Sequence, residues 1–365
     1  MKLVIATPLY PPEIGGPATY VKILEEGLPT HNIDVEVVKF SDVRHLPKII
    51  RHYAYYRRVL KAARHADAVL ALDPVSVGLP AMCAAKKAGK PFVVKIVGDY
   101  AWEQGQQRFG ISQTLDEFVK TSRTPFPVHA LRWIQSRVAR SAVQIIVPSE
   151  YLKGLVTVWG IPTDKIQVIY NAVLTDSIGM VPEAMNKLPQ PLVVSVGRLV
   201  PWKGMDRLID GIWSARREES NASLVIVGDG PERTNLEQYA TKMLKENYLF
   251  TGELSHADAL AVIQKADIFV LNSSYEGLSH VLIEALKLGS SIITTNAGGN
   301  SEVIMKGDGI IINVGDERFL ASSLKSLIDH KEERVRLSIA ARKSGQRFSP
   351  TVMLNATAVF LKSFV

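Results

Sequence analysis

Short continuous runs of Val, Ile and Leu recur along the chain, each followed by a longer stretch with helical periodicity. In the first half LVIAT (3–7), VEVVKF (35–40), AVLAL (68–72), PFVVKIV (91–97) and AVQIIVPS (142–149) are mainly apolar. That is the pattern of strands buried on both faces. Helical spacing falls between them, over roughly 17–29, 46–65, 76–88 and 127–140. In the second half PLVVSVG, SLVIVG, YLFTG, IFVLNS, SIITT and GIIIN have the same character, with helices over roughly 203–218, 231–246, 256–265, 278–288 and 316–329. Alternation of this kind predicts a parallel sheet covered by helices in each half. The stretch NAVLTDSIGMVPEAMNKLPQP, from 171, breaks the pattern and reads as a linker. The expected division is therefore 1–172 and 173–349. The apolar segment FSPTVMLNATAVFLKSFV, from 348, opens with a helix-start signal.

The 365 residues suffice for two ordinary domains, and 47% hydrophobic with 22% charged residues is a globular composition. The one cysteine, Cys83, lies in LPAMCAA and is expected to be a small buried hydrophobe. MKLVIATPLYPP reads as a buried strand, too short in its apolar part and too soon followed by a proline pair to be a signal peptide. The apolar region 68–85 contains Asp73, Pro74 and Pro80 and does not suit a spanning helix. A cytoplasmic protein, or one peripheral on the inner face of a membrane, is the expectation. Charge is uneven: 1–172 holds 22 Lys and Arg against 14 Asp and Glu, and the remainder 21 against 22. Within the basic half, 48–65 is an amphipathic helix without an acidic residue. Ile49, Tyr53, Tyr56, Leu60 and Ala63 form its apolar stripe, expected to face the core, and Lys48, Arg51, Arg57, Arg58, Lys61 and Arg64 lie mostly elsewhere. The segment 48–64 is thus a candidate contact with an anionic membrane surface. No recognition motif supports nucleic acid.

The most informative chemistry is in EGLSHVLIE, 276–284. Glu276 precedes a helix that ends at Gly289, and Glu284 lies inside it. Helical rise puts the two carboxylates roughly 10–12 Å apart. Between them lies a helix N-terminus, at Gly277, Leu278, Ser279 and His280, which favours a diphosphate. Carboxylates accept hydrogen bonds from pairs of hydroxyls. The segment can therefore hold a hydroxyl pair, a diphosphate and a second hydroxyl pair, the outline of a nucleotide sugar. Arg198 and Lys203 follow the strand LVVSVG and can neutralise a departing diphosphate. Gly15–Gly16–Pro17 follows the first strand and opens a helix, so the backbone there can approach a phosphate. No Asp-x-Asp motif occurs. A metal-bound diphosphate needs acidic ligands, so no metal site is expected and the cations and the helix terminus are expected to take that role.

These segments together resemble the family-four retaining glycosyltransferases of the GT-B fold. The resemblance spans nearly the whole chain. It rests on PLYPPEIGGPATYV (8–21), SVGRLVPWKG (195–204), LVIVGDGPER (224–233), FTGELSH (250–256), EGLSHVLIEA (276–285) and TTNAGGNSEVI (294–304), in the family's order. It implies two Rossmann-like domains facing an interdomain cleft, with the last helix (350–365) crossing back to the first. The first domain would bind the acceptor and the second the nucleotide sugar. Glu276 would hold the hexose hydroxyls and Glu284 the ribose. Arg198, Lys203, Gly15, Gly16 and the start of the 278–288 helix would face the diphosphate, with Leu254 among the groups near the base. The donor would be a UDP-, GDP- or ADP-sugar, with no separate cofactor. The implied activity is transfer of a hexosyl unit, metal-independent and with retention, in glycolipid, cell-surface polysaccharide or other glycan synthesis. Where the family often has His-Asp after the fourth strand, this chain has Gly98–Asp99. Asp99 is a candidate to face the sugar or acceptor, or else a strand-end cap. Trp102 and Glu103 are candidates to shape the acceptor pocket. The alternatives are a nucleotide-sugar epimerase of the same fold and a non-catalytic sugar-nucleotide-binding protein.

Overall fold

A computed structural model describes residues 1–13, 15–121, 123–216 and 221–364. The chain divides into two compact units: Met1–Ala172 together with the segment from Pro350 onward, and Val173–Ser349. Each is built on one six-stranded sheet whose named strand pairs are all parallel.

The first unit runs β1 (Lys2–Thr7), α1 (Gly16–Gly27), β2 (Asp34–Lys39), α2 (Lys48–Ala63), β3 (Ala68–Ala71), α3 (Gly78–Ala88) and β4 (Phe92–Lys95). It continues through α4 (Tyr100–Arg108), α5 (Leu115–Lys120), α6 (Phe126–Ser141), β5 (Gln144–Val147), α7 (Glu150–Val158) and β6 (Ile166–Val168). Strand order is β2-β1-β3-β4-β5-β6. The chain steps one way from β1 to β2 and the other way from β2 to β6. Right-handed crossovers therefore put α1 on one face of the sheet and α2, α3, α6 and α7 on the other.

The second unit runs β7 (Leu192–Val196), α8 (Met205–Ala215), β8 (Ser223–Val227), α9 (Arg233–Leu244), β9 (Tyr248–Gly252), α10 (His256–Lys265) and β10 (Ile268–Leu271). Then follow α11 (His280–Leu288), β11 (Ile292–Thr295), α12 (Asn300–Val303), β12 (Ile310–Ile312), α13 (Glu317–Asp329) and α14 (Lys331–Ser344). The helix expected over 203–218 is α8; the last two of those residues lie outside the described set. Strand order is β12-β11-β10-β7-β8-β9, so the direction of winding reverses between β7 and β10, which pair Val193 with Ile268. Two apolar layers sandwich this sheet. Val194, Phe269, Leu271, Leu282 and Ile283 fill one, and Val193, Leu208, Ile212, Val270 and Leu324 the other. At about 1.5–3 kcal/mol for each large side chain fully buried, these layers dominate the stability of the unit.

The last helix, α15 (Pro350–Lys362), belongs to the first unit and packs on α1. The fit is close at Gly27, where an added Cβ would stand 2.3 Å from Leu354 Cδ1.

Two expectations are corrected. Cys83 is exposed. In α3 the inward positions are Ala81, Ala84 and Ala85, and Cys83, between them in sequence, turns outward with the 3.6-residue period. On α2 the buried residues are Tyr55, Val59, Leu60, Ala62 and Ala63. Only the last two turns of the expected stripe reach the core. Ile49 is 87% exposed and Tyr53 61%. The stripe that anchors the helix runs through Tyr55, whose hydroxyl donates to Val38 O at 2.7 Å.

Candidate functional site

In a doubly wound sheet, loops leaving adjacent strands toward opposite faces open a crevice at the carboxyl ends of those strands. In the second unit those strands are β7 and β10. The loop after β7 carries Arg198 and Lys203, and the loop after β10 carries Glu276. Lys203 Nζ donates to Glu276 Oε1 at 2.5 Å, and Ser273 Oγ donates to the same oxygen at 2.7 Å. The Lys203 and Glu276 side chains are 15% and 12% exposed, so the pair is sheltered but open to a ligand.

The two loops are held to each other by backbone. Ser274 N–H donates to Trp202 O at 2.8 Å, and Asn272 Nδ2 donates to Gly204 O at 3.0 Å. Gly204 has φ 60°, and a Cβ there would lie 2.5 Å from Asn272 O. A side chain at this position would wedge the loops apart. The GDGPER turn is tied in as well: Leu199 N–H donates to Asp229 O at 2.9 Å and Gly228 N–H to Gly252 O at 2.9 Å. Arg198 is exposed on the β7 loop and makes no side-chain hydrogen bond among the described residues.

Glu276 leads directly into α11. Ser279 caps this helix, accepting from Leu282 N–H, and Gly289 ends it in a left-handed conformation. The residues between, Gly277, Leu278 and His280, form the approach to its positive end. Glu284 lies in the second turn of α11. His256 Nε2 donates to Glu284 Oε1 at 2.9 Å. That hydrogen bond, followed by the charge of Glu284, holds the His256 imidazole above its ordinary pKa despite partial burial. Leu254, half-buried, precedes Ser255, the cap of α10. His256 was not singled out by sequence reasoning. The available signal was its place as first residue of a helix beginning at the carboxyl edge of the sheet.

In the first unit the equivalent reversal lies between β1 and β3. The loop after β1 ends at Gly15, with φ 150°, where a Cβ would stand 2.9 Å from Leu9 Cδ1. Gly15 O accepts from Ala18 and Thr19 N–H, and Gly16 begins α1. The loop after β3 carries Asp73, also missed in the sequence. It is buried and accepts from the Val75 and Ser76 N–H groups at 2.6 Å each. Its place directly after a strand at the reversal was the signal. Burial pushes its carboxyl pKa up, against those hydrogen bonds.

Beyond β4, Asp99 is the cap of α4, 1% exposed, accepting from Trp102 N–H at 2.9 Å. Burial raises its pKa. Trp102 is inside the unit, with Nε1–H donated to Gln113 O at 2.9 Å. Its ring is thus packed within the first unit. Glu103 is half-buried. Burial first, then the charges of Asp99 and Asp73, pushes its carboxyl up to about 7. Lys95, at the end of β4, is 2% exposed with Nζ 3.9 Å above the Tyr20 ring. Burial pushes its ammonium down to about 7.

The chain matches the family "Glycosyl transferase 4-like domain" over residues 4–172 and the family "Glycosyl transferases group 1" over 182–344. It is 34% identical over 168 residues to the lipopolysaccharide core biosynthesis glycosyltransferase LpsD of Rhizobium meliloti, an alignment covering 45% of this chain and 47% of that protein. It is 23% identical over 364 residues to a GDP-mannose-dependent phosphatidylinositol monomannoside mannosyltransferase of Mycolicibacterium smegmatis, covering 93% and 92%. Among solved structures, Anabaena HepE in complex with UDP and glucose superposes with TM-score 0.77 at 20% identity over the full length of both chains. Sucrose-phosphate synthase of Thermosynechococcus elongatus superposes with TM-score 0.75 at 16% identity, covering 99% and 98%. Both likenesses establish the fold.

Proposed function

The chain belongs to the family-four glycosyltransferases of the GT-B fold, and on that premise we propose that it moves a hexosyl unit from a nucleotide sugar to an acceptor hydroxyl with retention of configuration. The observation that carries this reading is the Lys203–Glu276 pair at the β7/β10 reversal, beside the start of α11.

In this reading the second unit binds the donor. Glu276 accepts hydrogen bonds from sugar hydroxyls, and Glu284, oriented by His256, accepts from the ribose. Arg198, Lys203 and the 277–280 backbone stabilise the diphosphate as negative charge builds on it. Preorganised charge of this kind is usually the largest single catalytic contribution. Lys203 acts at both ends: it fixes the Glu276 carboxylate and lies within reach of a phosphate. The acceptor hydroxyl attacks on the face from which the diphosphate leaves and passes its proton to that leaving group, so no side-chain nucleophile is required. In this reading Arg198 and Lys203 supply the positive charge that a metal ion would otherwise bring, and the reaction proceeds without one.

The first unit presents the acceptor, with Glu103 and Asp99 at the end of β4 nearest to it in role. The chain's relatives include enzymes named for lipopolysaccharide core and phosphatidylinositol mannoside synthesis. A lipid-linked or cell-surface glycan is accordingly the proposed acceptor, and the cytoplasmic face of a membrane the proposed place of work. Among the described residues no helix is long and apolar enough to cross a membrane.

Incubation with UDP-, GDP- and ADP-sugars, followed by assay of released nucleotide and by thermal shift, tests the reading. A ligand that binds only the folded state must raise its melting temperature. Absence of both stabilisation and release with every donor would overturn it. Interconversion of the sugar without an acceptor would assign an epimerase instead.

A further inference from the structure

α2, α3 and α6 lie side by side on one face of the first sheet, with α3 packed against α2 on one flank and α6 on the other. The three helices hold five, two and three Lys and Arg, respectively, and not one Asp or Glu. Four of the ten are engaged: Arg58 pairs with Asp42 at 2.8 Å, Arg140 donates to Trp159 O, Arg132 donates to Thr121 O, and Arg51 lies over the Phe40 ring. Lys48, Arg57, Lys61, Lys86, Lys87 and Arg137 are exposed and make no side-chain hydrogen bond among the described residues.

The same layer exposes large apolar side chains. Ile49, Ile50 and Tyr53 are 87%, 55% and 61% exposed at the start of α2, and Phe126 and Trp133 are 83% and 61% exposed on α6. Single exposed hydrophobes are ordinary on any surface. Five on two helices of one carboxylate-free layer are not scattered. The fold does not require them, since α2 anchors itself through Tyr55 and Val59 and α6 through Val128, Val138 and Ala139. Cations on long stems interleaved with aromatic and aliphatic groups make a surface suited to the headgroup zone of a bilayer, where each part has its own solvent.

We propose that the outer side of the α2–α3–α6 layer is a docking surface for an anionic lipid bilayer. The start of α2 and the exposed edge of α6 enter the interface, and the basic residues of all three helices engage headgroup phosphates. Lipid is favoured over nucleic acid because phosphate-backbone binding is driven by cations and makes no use of the aliphatic Ile49 and Ile50. The three helices carry none of the residues assigned to the donor site, and the proposal does not depend on the transfer reaction.

Co-sedimentation of the full chain with vesicles of phosphatidylcholine and phosphatidylglycerol in equal parts, and with phosphatidylcholine alone, tests the proposal. Two variants accompany the parent: Arg57→Gln with Lys61→Gln, Lys86→Gln and Lys87→Gln; and Ile49→Ser with Tyr53→Ser and Trp133→Ser. All of these side chains are exposed, and circular dichroism melting verifies that both variants fold. The parent should bind the mixed vesicles and bind the neutral ones much less. The charge variant should bind at least about tenfold more weakly, as each basic residue near an anionic surface contributes separately. The apolar variant should lose the binding that survives high salt. No binding by the parent, or equal binding by the parent and the charge variant, would overturn the proposal. So would displacement by single-stranded RNA through the same cations with the apolar variant unaffected, which would assign the layer to nucleic acid. Nucleotide release from the donor, followed in parallel, reports on the transfer reaction separately.

Discussion

Replacement of Lys203 by Ala should damage stability and catalysis together, by amounts the geometry sets. The Lys203 ammonium and the Glu276 carboxylate are 2.5 Å apart, with side chains 15% and 12% exposed. Removing one member of a fully buried pair costs about 3–5 kcal/mol because the other charge is stranded. Residual exposure and the surviving Ser273 hydrogen bond reduce this to about 2–3 kcal/mol. In a unit the size of Val173–Ser349, that corresponds to a fall in melting temperature of about 4–12 °C. Replacing both partners, Lys203→Met with Glu276→Gln, should recover most of the loss, since no charge is then left behind. The catalytic cost is separate. Loss of one preorganised charge contact to a departing diphosphate lowers the rate by about 10²–10³, and the double variant should not recover it. Differential scanning fluorimetry without ligand and nucleotide release measured well below the melting point read the two effects. A Lys203→Ala protein that melts with the parent and turns over near the parental rate would show that the pair neither stabilises this crevice nor acts on the donor.

Glu276→Ala should abolish transfer and Arg198→Ala should lower it by at least about a hundredfold, read by steady-state kinetics with the donor that stabilises the protein; near-parental rates in both would put the active site elsewhere. Treatment with EDTA should leave activity intact, and loss restored by Mg²⁺ or Mn²⁺ would contradict the role given to Arg198 and Lys203. Glu103 keeps its proton to about pH 7 in the folded chain against 4.5 unfolded, so the folded state binds more protons in that window and stability from this group declines as pH rises through it. Glu103→Gln should therefore gain on the parent at pH 8 and not at pH 4, as urea midpoints would show. Lys95 has the opposite linkage: its pKa is about 7 folded against 10.5 unfolded, so its penalty is full below pH 7 and fades toward pH 10.5. Lys95→Met should be the more stable protein at pH 7, with an advantage that shrinks by pH 10 in the same assay.

Both sheets were legible in the sequence because their central strands, such as β3, β4, β10 and β11, are buried on two faces and read as largely apolar runs. The segments that escaped notice lack such contrast. β6 is three residues long, α7 contains Gly154, and α14 has only Leu337 and Ala341 buried. On α2 the period was right and the phase wrong. Tyr53 and Tyr56 looked as apolar as Tyr55, and only the packing of Tyr55 beneath Val38 decides which tyrosine points inward. Within the candidate site, Glu276, Lys203 and Glu284 stood out as single residues. His256 did not, since its contact with Glu284 joins segments 28 residues apart, and Ser273, three residues before Glu276, looks like any serine after a strand. Asp99 and Trp102 were visible as candidates, but their use as a helix cap and a core ring depends on Gln113 and on the depth of the α4 start.

The return of α15 to the first unit has a consequence for synthesis. The ribosome delivers the residues through Ala172 first, yet the surface of α1 against which Leu354 fits is not covered until the final helix has emerged. By then every strand of the second unit is available to fold. Domains ordinarily form in order of emergence; here the unit that begins first is completed last, and in the interval its α1 face is bare. A nascent chain stalled before Pro350 should expose that face to chaperones and proteases even when the second unit is already native.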